Sequence, residues 1–233
     1  MIDIHTHLLP QIDDGAKSIE ESIEMLSSSF KKGVRACAAT PHCRIHGDDD
    51  ISTFLEARKN SYETLSAALA ESAEPLPEIF LGSEVFVDND ISRYAGIEQL
   101  CIGDTMHILL EFPIFLGERE TSECIHALAV KGITPIIAHV NRYPFDSHLI
   151  EDISDFNVIY QVDCDLFLSM KGRKYIKNLI KKGYVPIAAS DMHNMSTRSS
   201  KLDLAYAMAK KKFPEYADDM FFGIANDILH EKH

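Results

Sequence analysis

Short apolar, β-rich runs recur along the chain at residues 2–4, 34–39, 79–85, 108–112, 134–138, 158–162 and 185–189, and amphipathic segments separate them. In the first such segment Ile19, Ile23, Leu26 and Phe30 fall at spacings of four, three and four, which puts them on one helical face. Ser18 followed by Glu21 reads as a capping box, and Gly33 as the stop. The same cycle predicts helices at about 50–72, 119–131, 147–155, 170–182, 198–211 and 215–230, most of them ending near a Gly or Pro. Residues 86–106 carry turn residues and little periodicity, and read as a loop with room for one short helix.

Strand, helix, strand is the rhythm of a parallel sheet. Seven strands with helices between them can close into a barrel or stay open as a doubly wound sheet, and periodicity does not choose. The polar residues tilt the choice, because almost every candidate strand finishes in His, Asp or Glu, as expected when a site gathers at the C-terminal rim of a barrel. No internal repeat, low-complexity tract or linker divides the 233 residues. One α/β barrel fills that length, so residues 1–233 are expected to form a single catalytic domain.

Charge narrows the partners. With 36 acidic against 23 basic side chains the formal net charge is −13, which repels nucleic acids and anionic membranes unless a local patch or bound cations reverse it. Nucleic acid is therefore not an expected partner. No run of about 18 apolar residues occurs, and MIDIHTHLLP lacks a basic stretch followed by an apolar block, so no membrane span or signal peptide is expected and the cytoplasm is the expected location. The five cysteines form an odd set without a C-x-x-C pair, which suits a reducing compartment; they read as small buried apolar residues.

The chemistry lies at the strand ends. His5 and His7, two apart after the first strand, project to one side and make half a metal site. Alone, that pair is no more than even evidence. Asp191 and His193 repeat the arrangement after the strand at 185–189, His42 follows Thr40-Pro41, and His139 follows Ala138. Glu84 and Glu111 each interrupt an apolar run, where a charge is costly unless paired or bound to metal; the bland alternative is an edge strand with its Glu in solvent. Asp14, in Asp13-Asp14-Gly15, is also consistent with a plain turn.

Nine N and O donors with no thiolate are too many for one tetrahedral ion, and they suit two to three divalent ions, Mn first, with Fe or Zn as alternatives. A bridging carboxylate could hold the ions roughly 3.5 to 4 Å apart for phosphoryl displacement. Four carboxylates against three such ions leave a surplus of two positive charges, which a phosphate dianion would neutralise. The ions would polarise the phosphoryl oxygens and acidify a bound water, supplying hydroxide to attack phosphorus without a protein nucleophile.

Other hydrolytic and nucleotide chemistries lack support. None of the cysteines is followed six positions later by Arg, as a cysteine phosphatase loop requires; Cys37 and Arg44 miss by one. No Walker-type loop and no G-x-G-x-x-G after a strand is present.

The ordered set H-x-H, D-D-G, T-P-H, a Glu after a strand, L-E-F-P, A-H-x-x-R-Y and S-D-x-H resembles the polymerase and histidinol phosphatase (PHP) superfamily across essentially the whole chain. Within it, MIDIHTHLLPQIDDGAKSIEES, ILLEFP and AHVNRY are most similar to the capsule-type bacterial protein-tyrosine phosphatases that act on tyrosine autokinases of polysaccharide export. That resemblance implies a distorted barrel of seven β/α units, a TIM-like barrel of the PHP type, with a trinuclear site at its rim. It implies that His5, His7, Glu84 and Asp191 hold the first metal; Glu84, Glu111 and His139 the second; and Asp14, His42 and His193 the third. It also implies arginines that bind substrate phosphate, at Arg142 and Arg198, and a partner in the phosphorylated tail of a tyrosine kinase. Read as residues alone, the alternative for Arg142 is a surface salt bridge and for Arg198 the start of a helix.

Two departures stand out. Gln161-Val162-Asp163-Cys164-Asp165 lies where relatives often carry a more neutral segment, and Gln11 replaces a common Gly. Both are expected to leave the metal site untouched and to bear on substrate recognition. The strongest rival is a small-molecule phosphatase such as histidinol phosphatase, with a polymerase-type exonuclease or phosphodiesterase behind it. A rival of another class is a non-catalytic metal-binding regulatory module.

Overall fold

The computed structural model describes residues 1–71, 74–114, 118–143, 153 and 156–230. Each of the seven apolar runs yields strand, and every pairing is parallel. The first run is β1 (Ile2–Thr6). The second is β2 (Ala36–Ala39), after which β3 (His42–Arg44) is a further strand that the apolar pattern does not predict, and the third divides into β4 (Glu78–Leu81) and β5 (Glu84–Phe86). β6 (His107–Glu111), β7 (Thr134–Ile137), β8 (Ile159–Asp163) and β9 (Ile187–Ala189) follow.

One sheet has the order β1-β2-β4 and the other β3-β5-β6-β7-β8-β9. The first break has a local cause, since Pro41 has no N–H to give to a ladder; at the second, Gly82 packs so closely that a Cβ would meet Ile102 at 3.0 Å and Thr40 at 3.1 Å.

The end of β9 returns to β1 through a parallel bridge between Thr6 and Met192. Around it the His7 N–H donates to the Met192 carbonyl at 2.9 Å and the Asp191 N–H to the His5 carbonyl at 3.0 Å. The interior tells the same story. Ile4, Ala36 and Ala38 from the first sheet share one apolar cluster with Leu109, Ile136, Ile187 and Ala189 from the second, joined by Ala225, Ile228 and Leu229 near the C-terminus. An open sheet would hold these strands apart. Alternate positions Ile108, Leu110, Ile137 and Ala188 belong to the larger layer packed against helices. This is the distorted α/β barrel that the strand ends imply.

The helices are α1 (Ile19–Lys31), α2 (Asp48–Ala70), α3 (Glu118–Val130), α4 (Asp165–Leu168), α5 (Met170–Lys181), α6 (Leu202–Lys212) and α7 (Ile224–His230). Ser18 Oγ accepts the Glu21 N–H at 3.3 Å, but the Glu21 carboxylate takes the N–H of Lys17, one residue ahead of the cap, so half of the expected capping box forms. The helix expected at 147–155 lies outside the described residues, apart from Ile153.

Three further differences have plain causes or shapes. The helix expected at 198 begins at Leu202, because Asn194 Oδ1 accepts the N–H groups of Ser196, Thr197 and Arg198 and holds that stretch as a turn. A π-helical turn, Asp219–Gly223, precedes α7 where a continuous helix was expected. Residues 86–106 contain two short 3-10 turns, Ile91–Arg93 and Ile97–Leu100. All five cysteines are buried and unpaired, and no described helix is long and apolar enough to cross a membrane.

Candidate metal centre

All nine candidate donors and both arginines converge at the C-terminal rim. The end of β1 is anchored by the turn that follows. The Ala16 N–H donates to the His7 carbonyl at 3.0 Å, so Asp13-Asp14-Gly15 folds back on the strand. Gly15 is required there by space, since a Cβ would lie 2.1 Å from the His7 carbonyl oxygen. Asp13 binds the assembly together, accepting from His7 Nδ1 at 2.7 Å, from the Gly15 N–H at 2.9 Å and from the His42 N–H at 3.1 Å.

Glu84 is the hub. Its side chain is fully buried, with His42 Nδ1 at 2.9 Å, His5 Nε2 at 3.2 Å and His7 Nε2 at 3.3 Å from Oε2, and His139 Nε2 at 3.2 Å from Oε1. Asp191 Oδ1 faces His5, His7 and His193 at 3.4 to 3.5 Å, while Oδ2 takes Arg198 Nη2 at 2.7 Å and Arg142 Nη2 at 3.3 Å. Asp14, on the exposed lip, lies 3.3 Å from both His42 Nε2 and His193 Nε2. Glu111 borders His42 and Glu84, with Arg142 Nη1 3.8 Å away.

His139 and Asp191, each just past its strand end, have φ of +49° and +52°. A left-handed backbone at residues with a side chain is strained and persists where the surroundings hold it. Here it belongs to two residues whose side chains turn onto the hub.

Four of the five imidazoles share an orientation, and the fifth, His42, is reversed, with Nδ1 on Glu84 and Nε2 on Asp14. His5 Nδ1 faces Gln161 Oε1 at 3.4 Å, His7 Nδ1 faces Asp13, His139 Nδ1 faces Asp163 Oδ1 at 2.5 Å, and His193 Nδ1 faces the Asp191 carbonyl at 3.0 Å. Oxygens of these kinds accept, so each of these four Nδ1 atoms carries a proton and its Nε2 points inward. His5 Nε2 and His7 Nε2 stand 3.2 Å apart. Both Glu84 oxygens, Asp191 Oδ1 and His193 Nε2 are buried without a hydrogen-bond partner. Histidines held at one nitrogen with the other free, around orphaned carboxylate oxygens, are the arrangement that divalent cations complete.

The titration behaviour agrees. Burial alone would lower the pKa of His7, but Asp13, Asp191 and Glu84 raise it well above its ordinary value. Burial likewise opposes His139, yet Asp163 and Glu84 lift it to about 9. Burial would raise Glu84, and the histidines, His5 foremost, hold it well below the carboxylate range. The cage calls for positive charge, which protons supply when no cation does.

Four groups of donors lie close enough to share an ion: His7, Asp14, His42 and His193; His5, His7 and Glu84; His5, His139 and Asp191; and His42, Glu84 and Glu111. A cavity of about 170 Å³ opens beside them, bordered by Arg142, Asp163, Asp191, Thr197, Arg198 and Lys201.

The structure corrects one reading. Gln161 and Asp163 touch His5 and His139, so that segment does not leave the site untouched; Gln161 Oε1 also accepts the His139 N–H at 2.7 Å. Asp13, Gln161 and Asp163 were the functional residues missed. Their signal was present, in the first Asp of D-D-G and in polar residues at alternate positions ending an apolar strand. Gln11 has φ +58°, a left-handed backbone that glycine adopts without strain.

A family model described as capsular polysaccharide synthesis, CpsB/CapC, matches residues 1–230. The tyrosine-protein phosphatase CpsB of Streptococcus pneumoniae is 28% identical over 255 residues, spanning 100% of this chain and 99% of its own. The tyrosine-protein phosphatase YwqE of Bacillus subtilis (strain 168) is 28% identical over 220 residues, spanning 91% and 85%. Among solved structures, one from a study of YwqE from Bacillus subtilis and CpsB from Streptococcus pneumoniae, described there as unique metal-dependent tyrosine phosphatases, matches with a TM-score of 0.85. It is 25% identical and covers 100% of this chain and 96% of that one.

Proposed function

The chain belongs to the capsular polysaccharide synthesis CpsB/CapC family, and from that premise we propose that it is a metal-dependent phosphomonoesterase. Its substrate is the tyrosine-phosphorylated tail of a bacterial tyrosine autokinase of capsular or exopolysaccharide biosynthesis. Residues 1–233 act as a single catalytic domain in the cytoplasm, a location in keeping with five free thiols. The observation that carries the reading is Glu84: four imidazole nitrogens surround a buried carboxylate whose oxygens have no hydrogen-bond donor.

The donors suit two to three divalent ions, Mn first and Fe or Zn after it. His5, His7, Glu84 and Asp191 would hold one; Glu84, Glu111 and His139 a second; Asp14, His42 and His193 a third. When bound, such ions polarise phosphoryl oxygens and acidify water. The rest falls to the protein. Gln161, Asp13 and Asp163 hold Nδ1 of His5, His7 and His139 and so aim their Nε2 atoms at the ions.

Arg142 and Arg198, drawn together on Asp191 Oδ2, are placed to take the phosphate with planar forks that bond two oxygens each. Asp13 and Asp163 raise the local carboxylates from four to six, which three divalent ions would neutralise. The positive charge that attracts a phosphate dianion is then supplied by the two guanidiniums and not by the ions. A phenol with a pKa near 10 leaves without a dedicated protein acid.

The test is a substrate panel with the Mn-loaded protein: a phosphotyrosine peptide, histidinol phosphate and single-stranded DNA. Preference for the peptide is expected. Preference for histidinol phosphate overturns the substrate assignment, and no turnover with several metals at full occupancy makes the protein a regulatory module.

A further inference from the structure

We propose that the outward face of α5 is a docking surface for an anionic lipid bilayer. Residues 166–190 contain no Asp or Glu, yet they hold six cations, Lys171, Arg173, Lys174, Lys177, Lys181 and Lys182, in a chain whose net charge is −13. At 100° per residue, Lys171, Lys174, Lys177 and Lys181 fall within one stripe, opposite the buried Gly172, Ile176 and Leu179 that face the core. The stripe is about 15 Å long. All four lysines are exposed. Among the described residues no carboxylate pairs with any of them, whereas Lys201 and Lys210 do have acidic partners.

Among the described residues these cations neutralise no carboxylate, so no described contact gives the face an internal role. Charge complementarity selects an anionic occupant, and Met170 selects between the anionic ones. Met170 heads the helix on the same side as the lysines and is 82% exposed. Cations flanking an exposed apolar side chain are the pattern of helices that lie on the headgroup boundary. An acidic polypeptide without apolar side chains gains nothing from that methionine. The rest of the chain, strongly acidic, is repelled by the same membrane, so the protein is oriented with α5 down. α5 follows β8 and the short α4, and the end of β8 supplies Asp163 to the candidate metal centre, so the Met170 end of the stripe sits towards the rim.

The test is sedimentation of the full metal-loaded chain with phosphatidylcholine vesicles, with and without phosphatidylserine, at low and high salt. Binding is expected only with phosphatidylserine and is expected to fall as salt rises. The variant Lys171→Gln/Lys174→Gln/Lys177→Gln/Lys181→Gln, checked for fold by circular dichroism, is expected to lose about tenfold or more in vesicle affinity, and Met170→Ser a smaller factor. No phosphatidylserine-dependent binding, or equal binding by the quadruple variant, overturns the proposal. Tighter binding of a polyglutamate peptide than of vesicles also overturns it, in favour of an acidic protein partner.

Discussion

Asp163 Oδ1 lies 2.5 Å from Nδ1 of His139, and this contact decides which nitrogen of the imidazole faces Glu84. The same carboxylate reaches Arg142, with Nη2 3.7 Å from Oδ2. One side chain thus orders both His139, proposed to hold metal, and Arg142, proposed to take phosphate. Asp163→Ala is expected to weaken metal binding by about 10- to 100-fold, the usual cost of losing such a partner, with the far-UV spectrum unchanged. Competition against a chromogenic chelator measures it, and wild-type affinity would show that His139 needs no such support.

Gly15 and Gly183 separate space from backbone conformation. A Cβ at Gly15 meets the His7 carbonyl oxygen at 2.1 Å and the His7 Cβ at 2.6 Å, while one at Gly183 meets nothing within 4 Å and faces only a φ of +90°. Gly183→Ala is expected to cost about 1 to 2 kcal/mol of stability with metal binding kept. Gly15→Ala is expected to displace His7 and Asp13 and to lose metal affinity as well as stability. Thermal melts paired with metal titrations check both, and an intact metal site in Gly15→Ala contradicts the packing argument.

The arginines should divide from the metal donors in kinetics. His139→Ala and Asp191→Ala are expected to abolish turnover with the fold kept. Arg142→Ala and Arg198→Ala are expected to weaken phosphate engagement, raising KM or the inhibition constant for inorganic phosphate while metal content stays at the wild-type level. Near-normal activity in the two donor variants refutes the site.

Stability of the metal-free protein should depend on pH in two windows. His139 rises from an ordinary 6.5 to about 9, burial opposing and Asp163 and Glu84 prevailing, so its contribution is complete below pH 6.5 and is lost as pH climbs through 9. The limit is roughly 3 kcal/mol. Asp13 falls from 3.8 to about 2, burial opposing and His7 prevailing, so its contribution is present above 3.8 and is lost as pH drops through 2. Denaturant midpoints of the metal-free chain are expected to fall between pH 6.5 and 9. Metal-loaded protein should show no such fall, because cations then hold the site and compete better as protons leave. A flat metal-free profile contradicts the ion pairing.

The site was legible in outline because it obeys one rule, polar residues at the ends of apolar strands, and His5, His7, Glu84, His139, Asp191 and His193 all follow it. Gln161 and Asp163 obey it too, but they touch histidines rather than facing the shared interior, and nothing in the sequence distinguishes a residue that holds a ligand from one that recognises substrate. The left-handed backbones of His139 and Asp191 leave no trace in composition. The delayed start of α6 came from Asn194, whose side chain captures three N–H groups that a helix would otherwise use. β3 was hidden because the apolar run stops at Ala39, before Thr40-Pro41, and the split of the third strand because Gly82-Ser83 interrupts pairing without interrupting the apolar run.

The most direct measurement is elemental analysis of the purified chain, stripped with chelator, reloaded with Mn and freed of excess. Two to three ions per chain are expected, falling in Glu84→Gln, where the shared carboxylate is gone. One ion per chain or none would contradict the convergence of these nine side chains on a cation cluster.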